Sequence, residues 1–172
     1  MSSVCKDKDV DAILLGVTSS AVTVFTAFLG TFLVENNMVP VLAATLATCL
    51  SNSISDMFAV GTSFRSGIDF GQDGFKMLQI ISSELLFTFP MVLTVAILTI
   101  LQQNQRLSPF TFTSKTLIIA GILTYELAGI ITVGKGIVKE SWEDNLIRIS
   151  IIFGTIAFVG VITYFLMPKS KK

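Results

Sequence analysis

MVPVLAATLATCLSNSISDMFAVG, residues 38–61, is long and apolar enough to cross a lipid bilayer, yet it carries an aspartate, Asp56, near its end. An α-helix rises about 1.5 Å per residue, so this segment reaches roughly 35 Å, a little more than the hydrocarbon thickness. A carboxylate at that depth is costly unless it faces protein, water or a cation. Asp56 is therefore a candidate functional residue, and the alternative is a structural hydrogen bond between helices.

The overall composition indicates an integral membrane protein. Of 172 residues, 52% are hydrophobic and only 14% are charged, which lies outside the range of soluble domains. Twelve basic residues balance twelve acidic ones, and no basic tract predicts contact with nucleic acid. Because the chain has no histidine, a cation site must use oxygen and possibly sulfur ligands. Cys5 and Cys49 have no metal-ligand spacing, and both are predicted to be free thiols.

Five apolar runs, each near or above twenty residues, predict five transmembrane helices. They cover residues 10–34, 38–61, 78–101, 115–138 and 145–167 and are joined by short polar links. We therefore predict an all-α integral membrane protein whose residues 1–172 form a single transmembrane domain. The first helix also has a face of small residues, which lets another helix approach closely. Its members are Ala12, Gly16, Ser19, Thr23, Ala27 and Gly30.

Three acidic residues are predicted to lie at similar depth near one membrane face. Asp11 begins the first helix and Asp56 is near the end of the antiparallel second helix, so both lie in one leaflet. Glu84 follows the start of the third helix on the same side. Asn52 is four residues before Asp56, so the two side chains project from one helix face and could bind the same ligand. Such carboxylates need a counter-ion, and a divalent cation or protons would serve.

Glu126 lies nearer the middle of the membrane than these three acids. It is a further candidate cation ligand, although its spacing does not relate it to the other acids. The alternative for Glu84 and Glu126 is that they are protonated, or paired with each other or with Lys135. No GxSxG or CxxC motif and no phosphate-binding glycine loop occurs. We therefore predict that the protein is not an enzyme.

Three segments in order along the chain resemble the vacuolar iron transporter family, and the length is similar to its short prokaryotic branch. They are VDAILLGVTSSAVTVFTAFLG from residue 10, LSNSISDMFAVGTS from residue 50, and TYELAGIITVGKGIVKESWEDNLIRISIIFGTIAFVGVITYFL from residue 124. The resemblance places Asp11, here followed by Ala12, at a metal-binding aspartate. It places Asp56 at the position of a methionine metal ligand, and an oxygen ligand there would favour a harder ion such as manganese.

The resemblance also implies a homodimer with its pathway at the subunit interface, and the small-residue face of the first helix agrees with this. Link 62–77 is too short for the glutamate-rich cytosolic metal-binding domain of some members. The implied location is multi-pass in a membrane, either the cell membrane of a prokaryote or a vacuole-like organelle membrane of a eukaryote.

The sequence thus predicts a dimeric transporter that exchanges a divalent cation, iron or manganese, for protons. Asp11 and Asp56 are the principal predicted ligands, with Asn52, Glu84 and Glu126 as further candidates. Fe²⁺ or Mn²⁺ is the transported substrate, and no resident cofactor is predicted. The alternative is a non-transporting membrane scaffold whose buried acids only fix helix packing.

Overall fold

Five long helices make up the computed structural model, which describes residues 12–63, 74–137, 139 and 141–166. The helices are α1, Ala12–Val34; α2, Met38–Ser63; α3, Gly74–Gln103; α4, Phe112–Ile137; and α5, Trp142–Leu166. Each contains a segment long and apolar enough to cross a membrane. Among the described residues the predicted all-α class is therefore confirmed, with five helices long and apolar enough to cross a membrane, and the homodimer stays a prediction.

Helices α4 and α5 begin earlier than predicted because each starts at a polar cap that precedes its apolar run. Thr111 Oγ1 accepts a hydrogen bond from the Ser114 backbone N–H at 3.2 Å, which starts α4 at Phe112 rather than at residue 115. Ser141 Oγ accepts one from the Asp144 backbone N–H at 3.1 Å, so α5 starts at residue 142 rather than at 145. Such caps satisfy backbone donors that the first helical turn leaves without a partner.

Helix α1 forms the centre of the bundle and packs against all four other helices. In its most apolar stretch 56% of the residues are buried, compared with 17% for α5. Phe25, Phe28 and Phe32 are fully buried on α1, with successive ring centroids 6.0 and 5.2 Å apart. Helices α2 and α3 form the most extensive antiparallel pair. Because α1 lies at the centre of the bundle, its aromatic side chains pack closely against neighbouring helices.

The small residues of α1 allow close packing within the chain. A Cβ atom at Gly16 would overlap the Ser83 side chain and would lie 2.8 Å from the Ile80 carbonyl oxygen, so α1 and α3 approach closely there. Ser19, from the same face, contacts Asn52 of α2. At these two positions the small-residue face is occupied by neighbouring helices of the same chain, as in other membrane bundles.

One end of the bundle, which we call the short-link end, holds the links 35–37 and 104–111. Here Lys115 of α4 is 5% exposed, and its Nζ donates to the Leu33 and Glu35 carbonyl oxygens at 3.2 and 2.7 Å. These carbonyls lie at the end of α1, where intrahelical partners are lacking. A cation at a helix carboxyl end is also favoured by the helix dipole. Lys115 therefore fastens α4 to the end of α1.

Gln102 of α3 fastens the same end to the start of α2. Its Nε2 donates to the Asn36 carbonyl oxygen at 2.6 Å, and its Oε1 accepts from the Met38 backbone N–H at 2.7 Å. The second bond satisfies one of the backbone donors that α2 leaves without an intrahelical partner. Helices α1 to α4 are therefore connected at the short-link end by the side chains of Gln102 and Lys115.

Candidate cation site

Four polar side chains from three helices meet around one amide group, and we call them the Asn52 cluster: Ser19, Asn52, Asp56 and Glu84. Asn52 Nδ2 lies 2.9 Å from Ser19 Oγ of α1, 3.3 Å from Asp56 Oδ2 of α2 and 2.5 Å from Glu84 Oε1 of α3. An amide nitrogen carries two hydrogens, so it cannot make three full hydrogen bonds at once. The three oxygens therefore compete for one donor group.

The helical repeat and the antiparallel pairing of α2 and α3 place these groups together. Asn52 and Asp56 are one turn apart on one face of α2, and their side chains are in contact. Asn52 near the end of α2 and Glu84 near the start of α3 are both roughly 15 Å from the end of the bundle opposite the short-link end. Their similar depth lets a side chain of one helix bond to a side chain of the other.

Glu84 is the most enclosed member of the cluster. Its side chain is 0% exposed, and Oε2 has no hydrogen-bond partner among the described residues. Ser53 is also buried and lies beside the Glu84 carboxylate. Asp56 is only half-buried. Because both carboxylates bond to one nitrogen, their bonded oxygens lie within about 6 Å of each other, where two negative charges repel. A shared cation or proton would remove this repulsion.

A π-helical turn, Ser20–Val24, interrupts α1 directly after Ser19. Such turns widen the helix locally and are frequent at functional sites. Ser20 is 0% exposed, and its hydroxyl has no partner among the described residues. The sequence did not predict this turn, because a single π turn barely changes the spacing of apolar residues along the helix. The turn thus begins at the residue that follows Ser19 of the Asn52 cluster.

A cavity of about 430 Å³ lies beside Asn52 between α1 and α2, and we call it the hydroxyl groove. Its walls are formed by Thr23, Ala47, Thr48, Ser51, Asn52 and Ser55. All of these except Ala47 carry a polar side chain, and Ser51 and Ser55 are exposed. One water occupies about 30 Å³ of liquid volume, so the groove is large enough for several waters or a hydrated ion. The groove thus offers water or an ion a polar route to the half-buried side of the cluster.

A thiol lies one turn from the cluster, towards the short-link end. Cys49 Sγ is 3.3 Å from Thr88 Oγ1, and both residues are buried between α2 and α3. Thr88 Oγ1 also lies 2.9 Å from the Glu84 carbonyl oxygen, as a donor to it. Cys49 is a free cysteine, as predicted, whereas Cys5 lies outside the described residues. The sulfur thus lies in the same interface between α2 and α3, but it forms no hydrogen bond with the carboxylates.

The structure brings together three of the five predicted ligands: Asn52, Asp56 and Glu84. Asp11 lies outside the described residues, so its placement relative to the cluster stays a prediction. Within the described ranges no group of three or more histidine, cysteine, aspartate or glutamate side chains could hold a metal ion. Two carboxylates, an amide and serine hydroxyls are therefore the donor set that the described residues supply.

Glu126 is not part of the cluster. Its side chain is 1% exposed on α4, and neither carboxylate oxygen has a partner among the described residues. The alternative that Glu126 pairs with Glu84 or Lys135 is therefore not seen; Lys135 Nζ lies over the Trp142 ring, 4.6 Å from its centroid. Near Glu126, the Phe87 ring of α3 packs against the α4 backbone at Gly129, where a Cβ atom would overlap it.

These features define a helical protein with five membrane-length segments and a buried polar cluster joining its first three helices. No protein-family model, curated protein or solved structure matches the chain. The resemblance to the vacuolar iron transporter family therefore stays a prediction that rests on the quoted segments alone.

Proposed function

We propose that this protein exchanges a divalent metal cation, Fe²⁺ or Mn²⁺, for protons across a membrane, through the Asn52 cluster. The observation that carries the proposal is the state of Glu84: a fully buried carboxylate with one oxygen unbonded, next to a second carboxylate that shares its donor. A buried carboxylate of this kind in a membrane helix is costly without a counter-ion and is typical of ion pathways. The hydroxyl groove provides the polar approach for that ion.

The donor set suits this chemistry. Asp56, Glu84 and Asn52 offer oxygen ligands, which favour hard or borderline ions such as manganese over softer ones. Carboxylates must lose their protons to bind a metal, so metal binding releases protons and couples the two ions at one site. We propose Asp11 as an additional ligand. As the resemblance implies, a homodimer would place two copies of the pathway at the subunit interface.

The direct test is metal uptake into proteoliposomes driven by a pH gradient. We expect Asp56→Asn and Glu84→Gln each to lower Mn²⁺ uptake by at least about tenfold, the scale on which ligand-shell changes act. Glu143→Gln is the matched control, because Glu143 is exposed at the start of α5 and should leave uptake unchanged. Asp11→Asn tests the additional ligand. Uptake that is unchanged in both Asp56→Asn and Glu84→Gln would overturn the site.

A scaffold without transport activity is the second candidate, and one observation favours it. The Asn52 amide already lies within hydrogen-bond distance of both carboxylates and of Ser19, and shared polar contacts of this kind hold membrane helices together. This candidate predicts that Glu84→Gln lowers thermal stability while Mn²⁺ has no effect on the wild type. A transporter should instead be stabilised by Mn²⁺, by about 2.7 kcal/mol at a hundredfold excess over Kd. Thermal unfolding with and without Mn²⁺ separates the two.

A further inference from the structure

A second cavity, of about 420 Å³, lies between α1 and the first turns of α5. Its walls are formed by Thr18, Asp144, Ile147, Arg148, Ile151 and Ile152. We call it the α5 pocket. It combines an acidic group, a basic group, a hydroxyl group and three isoleucines. Among the described residues, it shares no lining residue with the hydroxyl groove and includes none of Asn52, Asp56, Glu84 and Glu126.

The depth of the α5 pocket places it at the membrane surface. Trp142 is the first residue of α5 and is 61% exposed, and tryptophan is enriched where membrane helices meet the headgroups. At about 1.5 Å per residue, Asp144 lies about 3 Å and Arg148 about 9 Å deeper along the helix. Long basic side chains at such depth extend towards the headgroups. We therefore expect the charged part of the pocket to lie in the headgroup layer.

The charges of the pocket are opposite and one helical turn apart. Asp144 and Arg148 are four residues apart on α5, so both project into the pocket from one face. The guanidinium of Arg148 has five N–H donors in a planar fork that suits phosphate. Thr18 Oγ1, on the opposite wall, is buried and has no partner among the described residues. The Asp144 carboxylate is an acceptor that suits an ammonium group.

The apolar part of the pocket continues from these charges towards the membrane interior. Ile147 lies between Asp144 and Arg148 on the helix and Ile151 lies three residues beyond Arg148; they are 59% and 64% exposed, whereas Ile152 is buried. Exposed isoleucines at this depth offer a surface for acyl chains. A ligand that fits the whole pocket must therefore carry a phosphate, a cation next to it, and an apolar tail directed into the bilayer.

From this arrangement we propose that the α5 pocket binds a phospholipid with an aminoethyl phosphate headgroup, phosphatidylethanolamine. Arg148 and Thr18 bind the phosphate, Asp144 accepts hydrogen bonds from the primary ammonium, and Ile147 and Ile151 contact the acyl chains. A phosphatidylcholine headgroup carries a cation without N–H donors, so it cannot bond to Asp144 in this way. A phosphatidylglycerol headgroup has no cation and brings a net negative charge close to the carboxylate.

Thermal unfolding of the purified full-length protein in detergent micelles, with each lipid added separately, tests the proposal. We expect phosphatidylethanolamine to raise the Tm by about 2–4 °C more than phosphatidylcholine or phosphatidylglycerol does. Phosphoethanolamine without acyl chains should have no effect, because it lacks the contacts to the isoleucines. Equal shifts with all three lipids, or a larger shift with phosphatidylglycerol, would overturn the proposal.

Variants separate lipid recognition from the role of Asp144 in the helix cap, where Asp144 Oδ2 accepts from Ser141 Oγ at 2.6 Å. Asp144→Asn should abolish the difference between phosphatidylethanolamine and phosphatidylcholine. Ser141→Ala removes the cap but keeps the carboxylate, so it should lower the starting Tm and preserve that difference. Glu143→Gln, at the neighbouring exposed position, should change neither. If Asp144→Asn keeps the preference, or if Ser141→Ala loses it, Asp144 does not recognise the headgroup.

Discussion

Asn52 Nδ2 of α2 lies 2.5 Å from Glu84 Oε1 of α3, and this hydrogen bond joins residues 32 positions apart in the chain. It is the shortest of the three contacts of the amide, which are also made to Ser19 and Asp56. Because Glu84 is fully buried, this bond supplies one of the few partners that its carboxylate has. The Asn52 side chain therefore links the packing of the first three helices to the hydrogen bonding of the buried Glu84 carboxylate.

A double-mutant cycle on this pair measures that link. Asn52→Ala should lower the free energy of unfolding by about 1–3 kcal/mol, because it leaves buried acceptors without a donor. In a Glu84→Leu background the same change should cost about 1 kcal/mol less, since the main acceptor is already gone. The measurement is chemical unfolding in micelles for the wild type, both single variants and the double variant. Strictly additive effects would show that the two side chains do not interact.

Gly16 should tolerate no larger residue. Gly16→Ala places a methyl group against Ser83 and the Ile80 carbonyl oxygen, so we expect a loss of about 1–3 kcal/mol in stability. Gly154→Ala is the matched control on α5, because nothing lies within 4 Å of a Cβ atom there. Adding Ser83→Ala to Gly16→Ala should recover only part of the loss, since the backbone contact remains. Equal melting temperatures for Gly16→Ala and Gly154→Ala would contradict the close approach of α1 and α3.

Lys115→Met should destabilise the short-link end. The variant keeps much of the apolar stem but loses the hydrogen bonds to the Leu33 and Glu35 carbonyl oxygens. Two carbonyls at the end of α1 then lose a charged donor, and we expect a loss of about 1–3 kcal/mol. Lys139→Met provides the control, because Lys139 is exposed. Thermal unfolding of the two variants compares them directly, and a similar effect at both positions would argue against a role for Lys115 in fastening α1.

Blocking the hydroxyl groove should lower transport without changing the fold. This prediction rests on the proposed function. Ser51 is exposed on the groove wall, and Ser51→Phe fills part of its volume with a ring. Leu50→Phe places the same ring at an adjacent exposed position of α2 that does not line the groove. Mn²⁺ uptake should fall several-fold in Ser51→Phe only, while both variants keep the wild-type Tm. Normal uptake by Ser51→Phe would exclude the groove from the ion path.

Parts of the candidate site follow from local spacing, and other parts do not. The contact of Asn52 with Asp56 is predictable because residues four apart share a helix face. Depth also predicted that Glu84 lies level with them. Glu126, which was predicted to lie nearer the middle of the membrane, is as buried as Glu84, and its carboxylate bonds to no member of the cluster. Depth along a helix fixes height in the membrane, but it does not fix the direction in which a side chain projects.

The sequence alone determined the helical class of this protein and the number of membrane-length helices that its described residues form. In a bilayer every backbone polar group must be bonded internally, so long apolar segments have to become helices and their count can be read directly. Only the tertiary structure decided that Asn52 bonds to Glu84, that Lys115 fastens the end of α1, and that Asp144 and Arg148 share a pocket with Thr18. These contacts depend on how each helix is rotated against its neighbours. That rotation is set by the packing of whole helix faces, which no single motif in the sequence records.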